Sequence, residues 1–220
     1  LTLRETQVLG DGPTTAKVAL IDLTGVIADQ PAPSLLGPGA AEKAVLDVLG
    51  LPGLPEAGKA VALPDGGFVR RLPAAPLEVD VVVATSQAGG WRERLVAAGA
   101  RPAGIWAYEA HRVAALRPRL GVDTAARTIA HEVGRNGGPG VGAVHLDKGC
   151  YRGQETVARV HNLGKPPRML VLLQLAGGTA RPASGEPVLA GGRAVGRLGT
   201  IVDHVAHGVI ALALVKRGLP

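Results

Sequence analysis

Residues 145–170 read HLDKGCYRGQETVARVHNLGKPPRML and contain Cys150, the single cysteine of the 220-residue chain. Cys150 lies between Lys148 and Arg152, in a segment that also contains two glycines. Glycines permit a tight turn, and nearby positive charge favours the reactive thiolate. A free cysteine is more often a small buried apolar residue. The stretch therefore leaves two interpretations open, a thiol presented for reaction or ligand binding and a thiol packed in a core.

The composition is that of a globular chain with one large or two small domains, since 46% of its residues are hydrophobic. No run of about 18 apolar residues occurs, so no transmembrane helix is expected. A single cysteine excludes an internal disulfide framework and fits a reducing compartment. The sequence thus predicts a cytoplasmic protein without a membrane partner.

The net charge of +6 is concentrated in one segment. Residues 111–170 contain ten Lys or Arg against four Asp or Glu, while the rest of the chain is balanced. A local positive field favours an anionic ligand such as a carboxylate, a phosphate or RNA; the alternative is a solvated basic surface. With only 2% aromatic residues, stacking platforms for single-stranded nucleic acid are not expected.

Apolar periodicity and breakers predict alternating strands and helices up to about residue 125, an α+β layout. The predicted strands are 17–23, 67–71 and 79–84, and the predicted helices are 39–49, 86–98 and 106–116, the second of them capped by Ser86 and closed by Gly99.

From Arg135 onward the alternation of predicted strands and helices ends. Residues 135–142 read as a flexible glycine-rich loop, and 156–160 as helical or extended. Three short apolar segments follow and predict a small β-barrel or sandwich, at 169–175, 193–198 and 209–215. A boundary near Lys165 gives an α+β module at 1–165 and a C-terminal β-barrel at 166–220.

Several chemical sites are excluded by their spacing. No phosphate-binding loop or nucleophile elbow occurs, and a lone cysteine without a Cys-x-x-Cys partner cannot build a zinc or iron–sulfur site by itself. The stretch 203–207, DHVAH, is better interpreted as a polar hairpin turn than as a metal-binding pair.

Two further candidates are Arg112, on the third predicted helix, and Glu132 in RTIAHEVG. A carboxylate facing a pocket could bind adjacent N–H donors of a heterocycle such as a pterin, and an arginine could hold a carboxylate through two parallel bonds. A surface ion pair is the ordinary alternative.

The motif Lys148-Gly149-Cys150-Tyr151-x-Gly153-Gln154-Glu155 resembles the signature of the YgfZ family, folate-binding relatives of the glycine-cleavage T-protein (aminomethyltransferase). The flanks resemble the same family over nearly the whole chain, at Arg112, 118–123, Glu132, 157–159, 196–199 and 210–213.

The resemblance implies two α+β modules and a C-terminal β-barrel around a tetrahydrofolate pocket, a ferredoxin-like, T-protein-type fold. The implied role is assembly or repair of [4Fe–4S] clusters in partner enzymes, including radical enzymes that thiolate tRNA. Cys150 with Lys148 is implied for the chemistry. The rest of the motif supports that pair, and Glu132 and Arg112 are implied as folate contacts.

The sequence departs from the family in two places. Family members have roughly another hundred residues before the position of Leu1, so the chain is expected to lack the N-terminal module and part of the folate pocket. His131 also stands where the family often has proline. Two alternatives remain, a tetrahydrofolate-dependent one-carbon (aminomethyl) transferase and a degenerate module that binds RNA or protein.

Overall fold

The computed structural model describes residues 2–8, 18–24, 46–72, 78–136, 142–146, 148–175 and 181–218. The chain divides into two compact units, Leu1–Tyr108 and Glu109–Pro220. The boundary predicted near Lys165 falls inside the second unit, and it stays a prediction about how the chain is organised.

The first unit is built on a six-stranded sheet of order β3-β4-β5-β2-β1-β6, in which only β6 runs parallel to its neighbour β1. The strands are β1 (Thr2–Val8), β2 (Val18–Thr24), β3 (Ala60–Ala62), β4 (Phe68–Arg71), β5 (Glu78–Ala84) and β6 (Arg101–Pro102). Helix α1 (Thr85–Ala97) follows β5, and residues 46–49 are also helical.

One face of this sheet carries the core of the first unit. Alternate residues of β5 point to the same side, and Val79, Val81 and Val83 are buried there. They pack with Trp91 and Leu95 of α1, which are spaced one helical turn apart. The β-branched run of β5 and the i, i+4 spacing of α1 thus produce one continuous apolar layer.

The cap predicted for α1 is wrong in one detail. The helix begins at Thr85 after Ala84, which makes no side-chain cap hydrogen bond, and Ser86 lies inside its first turn. Its end is as predicted, because Gly99 adopts a left-handed φ of 96° and donates its N–H to the Val96 carbonyl.

The second unit contains a four-stranded antiparallel sheet of order β7-β10-β9-β8. Its strands are β7 (Arg168–Gln174), β8 (Pro187–Ala190), β9 (Arg193–His204) and β10 (Gly208–Lys216). Helix α2 (Ile105–Ala114) leads into this unit, which also holds a 3-10 helix (Ala130–Val133) and helix α3 (Gln154–Leu163). Residues 156–160, predicted as helical or extended, are helical.

Both faces of the second sheet are apolar. On one face, Val202, Ile210 and Leu212 pack with Ala110 and Val113 of α2. The other face forms a cluster contributed by the strands alone, centred on Leu198, Ala211, Ala213 and Val215. β7 and β8 are the sheet's two edges, so the sheet is open as described, and the predicted C-terminal barrel is not shown.

Most of the other predicted strands and helices lie within the described residues. Strands 17–23, 67–71, 79–84, 169–175, 193–198 and 209–215 are confirmed with small shifts of their ends, as is helix 106–116. Residues 39–45 of the first predicted helix and 137–141 of the predicted loop lie outside the described residues. Within the described ranges, no helix has the length and apolarity needed to span a membrane.

Candidate functional site

The signature segment forms an exposed turn that leads into α3. Cys150 is solvent-exposed, so the alternative of a packed core cysteine is wrong. Gly153 occupies the N-cap position of α3 with a left-handed φ of 83°, a conformation that other residues adopt only with strain. Gln154 then opens the helix, and Glu155 lies in its first turn, where a negative charge interacts favourably with the helix dipole.

Around the thiol the turn offers cationic and aromatic groups. The Lys148 ammonium lies 5.7 Å from the centre of the Tyr151 ring, at the outer limit of a cation–π interaction. Gly149 has no left-handed φ, and a Cβ built on it would meet nothing within 4 Å. Of the two motif glycines, only Gly153 is therefore required by backbone conformation.

Helix α3 packs against the 3-10 helix that carries Glu132. Val157 is the buried residue of α3, and the rings of His131 and His161 lie 5.7 Å apart, joining the two elements. Both ring nitrogens of His131 are buried and have no hydrogen-bond partner among the described residues. Burial, with a smaller contribution from the charge of His161, lowers the pKa of His131 below 6.5.

Glu132 is buried, with its side chain only 1% exposed. Arg168, at the start of β7, binds it through two parallel hydrogen bonds: Nε donates to Oε1 at 2.7 Å and Nη2 donates to Oε2 at 2.8 Å. The backbone N–H of Ile129 also donates to Oε2 at 3.1 Å. The Arg168 guanidinium is held further by the Arg127 carbonyl at 3.1 Å.

This arrangement limits what Glu132 can offer a ligand. A carboxylate has about four acceptor sites, and three of those on Glu132 are occupied by Arg168 and Ile129. A pterin presents adjacent N–H donors that need two acceptors. As described, the site does not fit direct pterin binding unless Arg168 releases Glu132, and the folate role of Glu132 stays a prediction.

Arg112 lies at the centre of a second network. Its guanidinium donates to Asp123 Oδ2 at 2.9 Å, to Thr200 Oγ1 at 2.7 Å and to the Arg117 carbonyl at 2.5 Å. It also donates to Glu109 Oε2 from Nη2 at 2.6 Å and from Nε at 3.2 Å. All five N–H groups of the arginine are thereby used. The ion pair that the sequence allowed is present, but it is buried rather than on the surface.

Asp123 connects this network to β9. Its Oδ1 accepts the Thr200 N–H at 2.5 Å and its Oδ2 accepts the Arg119 N–H at 2.7 Å. Gly199 makes this approach possible, because a Cβ at that position would overlap the Asp123 carboxylate. Burial opposes the charge of Arg112, but Glu109 and Asp123 outweigh it and raise the pKa of Arg112 above its ordinary value.

The predicted site residues thus fall into two networks. Glu132 and the signature helix meet through the 3-10 helix, whereas no hydrogen bond or ion pair between described residues joins Arg112 to Glu132. Sequence reasoning missed Glu109, Asp123 and Arg168. Glu109 lies three residues before Arg112 on a helix, a spacing that signals an ion pair, but nothing local pairs Arg168 with Glu132. Among the described residues, no group of three or more His, Cys, Asp or Glu could hold a metal ion.

Comparison with known proteins supports the fold and not a family. No protein-family model matches the chain, and no curated protein sequence matches it. Among solved structures, the chain is similar to the glycine cleavage system aminomethyltransferase T from Bartonella henselae, with a TM-score of 0.61 and 20% identity. The match covers 90% of this chain and 52% of the aminomethyltransferase, so the chain spans about half the length of that protein. The described residues therefore form a mixed helix-and-sheet fold with mainly antiparallel sheets, similar to that of a T-protein.

Proposed function

We propose that this chain is a tetrahydrofolate-binding factor that supports the assembly or repair of [4Fe–4S] clusters in partner enzymes. The observation that carries the proposal is the presentation of Cys150. The only cysteine of the chain is exposed on a turn whose sequence resembles the YgfZ signature. A turn fixed by Gly153 and anchored by α3 holds the thiol at the surface, where another protein can reach it.

The groups around the thiol suit transient contact with a partner. Lys148 and Arg152 are both exposed beside Cys150 and supply positive charge, which attracts anionic groups. The chain contributes no second cysteine, so in this proposal the cluster belongs to the partner enzyme. Cys150 acts on that cluster or on a sulfur species, and Lys148 supports it.

The folate part of the proposal is supported by the T-protein-like fold. Arg112 uses all five of its N–H groups within the chain, and Glu132 has three of its about four acceptor sites occupied. We assign both residues first to positioning: Glu132 holds β7 against the 3-10 helix, and Arg112 holds α2 against β9. Direct contact of Glu132 with a pterin requires exchange of Arg168 for the ligand.

Complementation tests the cysteine. Cells that lack their own factor of this type would carry the wild-type chain, Cys150→Ala, Cys150→Ser or Lys148→Gln, and the activity of a tRNA-thiolating radical enzyme would be measured. We expect loss of support for both Cys150 variants and partial loss for Lys148→Gln. Arg193→Gln, which removes an exposed positive charge from β9, is the matched control. Full support by Cys150→Ala at equal protein level would refute the assignment.

Calorimetric titration with tetrahydrofolate tests the ligand. We expect binding in the micromolar range that weakens at least about tenfold, about 1.4 kcal/mol, in Glu132→Gln. The control is Glu56→Gln, an exposed carboxylate of the first unit. If the wild-type chain does not bind tetrahydrofolate, the folate part of the proposal is wrong. The role of Cys150 is then decided by the complementation experiment alone.

The fold likeness also favours a second candidate, a tetrahydrofolate-dependent one-carbon transferase, because the similar structure is that of an aminomethyltransferase. Transfer from an aminomethyl donor needs a general acid or base near the folate amine. The assay is turnover of such a donor with tetrahydrofolate by the purified chain. Product formation that persists in Cys150→Ala would favour the transferase over the cluster factor.

A further inference from the structure

The signature turn and helix α3 carry positive charge that the described chain does not neutralise. Residues 148–165 contain four Lys or Arg and one acid, Glu155, which gives three of the six net positive charges of the protein. Lys148, Arg152, Arg159 and Lys165 are all exposed. Among the described residues, none of the four forms an ion pair or hydrogen bond with a carboxylate.

Helical spacing gathers the exposed side chains of α3 on one face. Val157 is the buried residue of the helix and marks its inner side. Glu155, Arg159 and Leu163 follow each other at intervals of four residues, so they lie on one stripe that points away from Val157. All three are exposed. The ten-residue helix is about 15 Å long, and the turn that presents Cys150 lies directly before it.

Leu163 places an apolar group on this face. It is the last residue of α3 and is 65% exposed. Burial against another protein would remove its side chain from water, which is favourable. An apolar contact surrounded by charged side chains is the layout of a protein–protein interface, with its apolar centre and polar rim.

The composition of the face favours a protein over a nucleic acid. Single-stranded nucleic acids are bound through aromatic rings that stack on the bases. Tyr151 is the only Phe, Trp or Tyr of residues 148–165, and it is half-buried and contacted by Lys148. Glu155 lies between two arginines in the sequence, and it would repel a phosphate backbone. Carboxylates around an apolar patch complement the cations and Leu163 together.

We propose that the signature turn and the outer face of α3 form the surface on which the cluster-bearing partner enzyme docks, and that this enzyme presents an acidic surface with an apolar patch. The inference rests on the proposed function for the identity of the partner. Opposite charge speeds association and selects the partner, and here it brings the partner to the end of α3 where the thiol is exposed. The docking surface consists of Lys148, Arg152, Arg159, Leu163 and Lys165.

Direct binding tests the docking surface. The probe is a purified tRNA-thiolating radical enzyme in its [4Fe–4S] form, and its dissociation constant for the full chain is measured by interferometry at about 0.05 M and about 0.5 M salt. The wild type should bind, and more weakly at high salt. Arg159→Glu/Lys165→Glu should raise the dissociation constant at least about tenfold at low salt and remove most of the salt dependence. Leu163→Ser should raise it at least about fivefold at both salt concentrations.

The control variants change equally exposed residues elsewhere in the second unit. Arg193→Glu reverses an exposed charge on β9, and Leu189→Ser removes a leucine of β8 that is 61% exposed. Both should bind like the wild type, and circular dichroism should show the same fold for all variants. A wild-type chain that does not bind the enzyme overturns the proposal, as do docking variants that bind as tightly as the controls.

Zero-length cross-linking tests whether the partner surface is acidic. A carbodiimide couples an amine to a carboxylate with loss of water, so Lys165 should become linked to Asp or Glu of the enzyme, as mass spectrometry of the linked peptides would show. Lys165→Arg keeps the charge and removes the amine, so it should bind normally and lose this link. A complex that forms without links at Lys148 or Lys165 would contradict an acidic docking partner.

Cys150→Ala separates this inference from the proposed function. The variant should bind the enzyme like the wild type and fail to support its activity. If it binds and still supports activity, the proposed function is wrong and the docking surface stands. If Cys150→Ala loses support while Arg159→Glu/Lys165→Glu binds and supports normally, the docking surface is wrong and the role of the cysteine stands.

Binding of tRNA is the remaining test. The wild-type chain should bind tRNA no more tightly than Arg159→Glu/Lys165→Glu does. Tight binding that falls steeply with salt and is lost in the charge-reversal variant would assign the surface to nucleic acid and overturn the proposal.

Discussion

Replacement of Arg112 by methionine should strongly lower the free energy of unfolding of the second unit. The Arg112 side chain is 6% exposed and its carboxylate partners are barely accessible, with Asp123 at 0% and Glu109 at 13%. Methionine has a similar length and no charge. It leaves the Asp123 carboxylate buried without the cation that compensates it, while the backbone donors from Arg119 and Thr200 remain.

The size of the loss follows from this burial. Breaking a buried pair by removing one partner costs about 3–5 kcal/mol, because an uncompensated charge stays behind. Arg112→Lys keeps the charge but has three donors in place of five, so two hydrogen bonds of about 1 kcal/mol each are lost. Arg119 is 53% exposed and lies 3.4 Å from Glu109, so Arg119→Met should cost less than about 1 kcal/mol.

Urea unfolding followed by far-ultraviolet circular dichroism measures these differences. With a slope near 2 kcal/mol per molar urea, the midpoint should fall by roughly 1.5–2.5 M for Arg112→Met and by about 1 M for Arg112→Lys. In a Trp106→Phe background, the fluorescence of Trp91, which is buried in the core of the first unit, reports that unit separately. A midpoint for Arg112→Met equal to that of Arg119→Met would refute the reasoning.

Three further changes test other features of the second unit. Leu116, two residues after the end of α2, has a left-handed φ of 52°, a conformation that costs a non-glycine residue about 1–2 kcal/mol. Leu116→Gly should therefore raise the free energy of unfolding by about 0.5–1 kcal/mol, once the greater entropy of glycine in the unfolded chain is subtracted. A lower thermal midpoint for the variant would contradict this. Gly199→Ala should destabilise by about 1–3 kcal/mol because the new methyl group overlaps Asp123; Gly53→Ala, which points into open space, should be nearly neutral in the same urea assay. His131→Leu removes two buried nitrogens that have no hydrogen-bond partner among the described residues and should raise the free energy of unfolding by about 1 kcal/mol. Since the pKa of His131 is lowered from 6.5, the wild type should lose stability as pH falls through 6.5 toward that lower pKa. The free energy of unfolding of His131→Leu should lack this pH dependence. Equal slopes of that free energy against pH in the wild type and the variant, between about pH 7.5 and 5.5, would contradict the reasoning.

The secondary structure was largely readable from the sequence because local signals agree with the fold. The apolar run of β5 and the glycine that follows α1 can each be recognised from the few residues around them. Closure of the predicted barrel could not be inferred from such local signals. Closure depends on whether β7 and β8 pair with each other, which hydrophobic patterns do not specify.

The candidate site was predictable only in its local part. The glycine-rich, charged neighbours of Cys150 are compatible with its exposure but left a buried thiol open, and the helical spacing of Glu109 and Arg112 is a signal that could have indicated their ion pair. Arg168 lies 36 residues from Glu132, and Thr200 lies 88 residues from Arg112. Such pairs arise when the sheet brings distant segments together, and a single sequence contains no periodic signal for them.

The order of strands in the second sheet has a consequence for biosynthesis. Among the described strands, β7 pairs with β10, which follows it in the chain after β8 and β9. At ribosomal rates of about 5–20 residues per second, the nascent chain carries β7 unpaired on both sides for about 2–8 s. During that interval an apolar seven-residue segment is open to chaperones and to neighbouring nascent chains. Translation speed over residues 175–216 should therefore influence the yield of native protein.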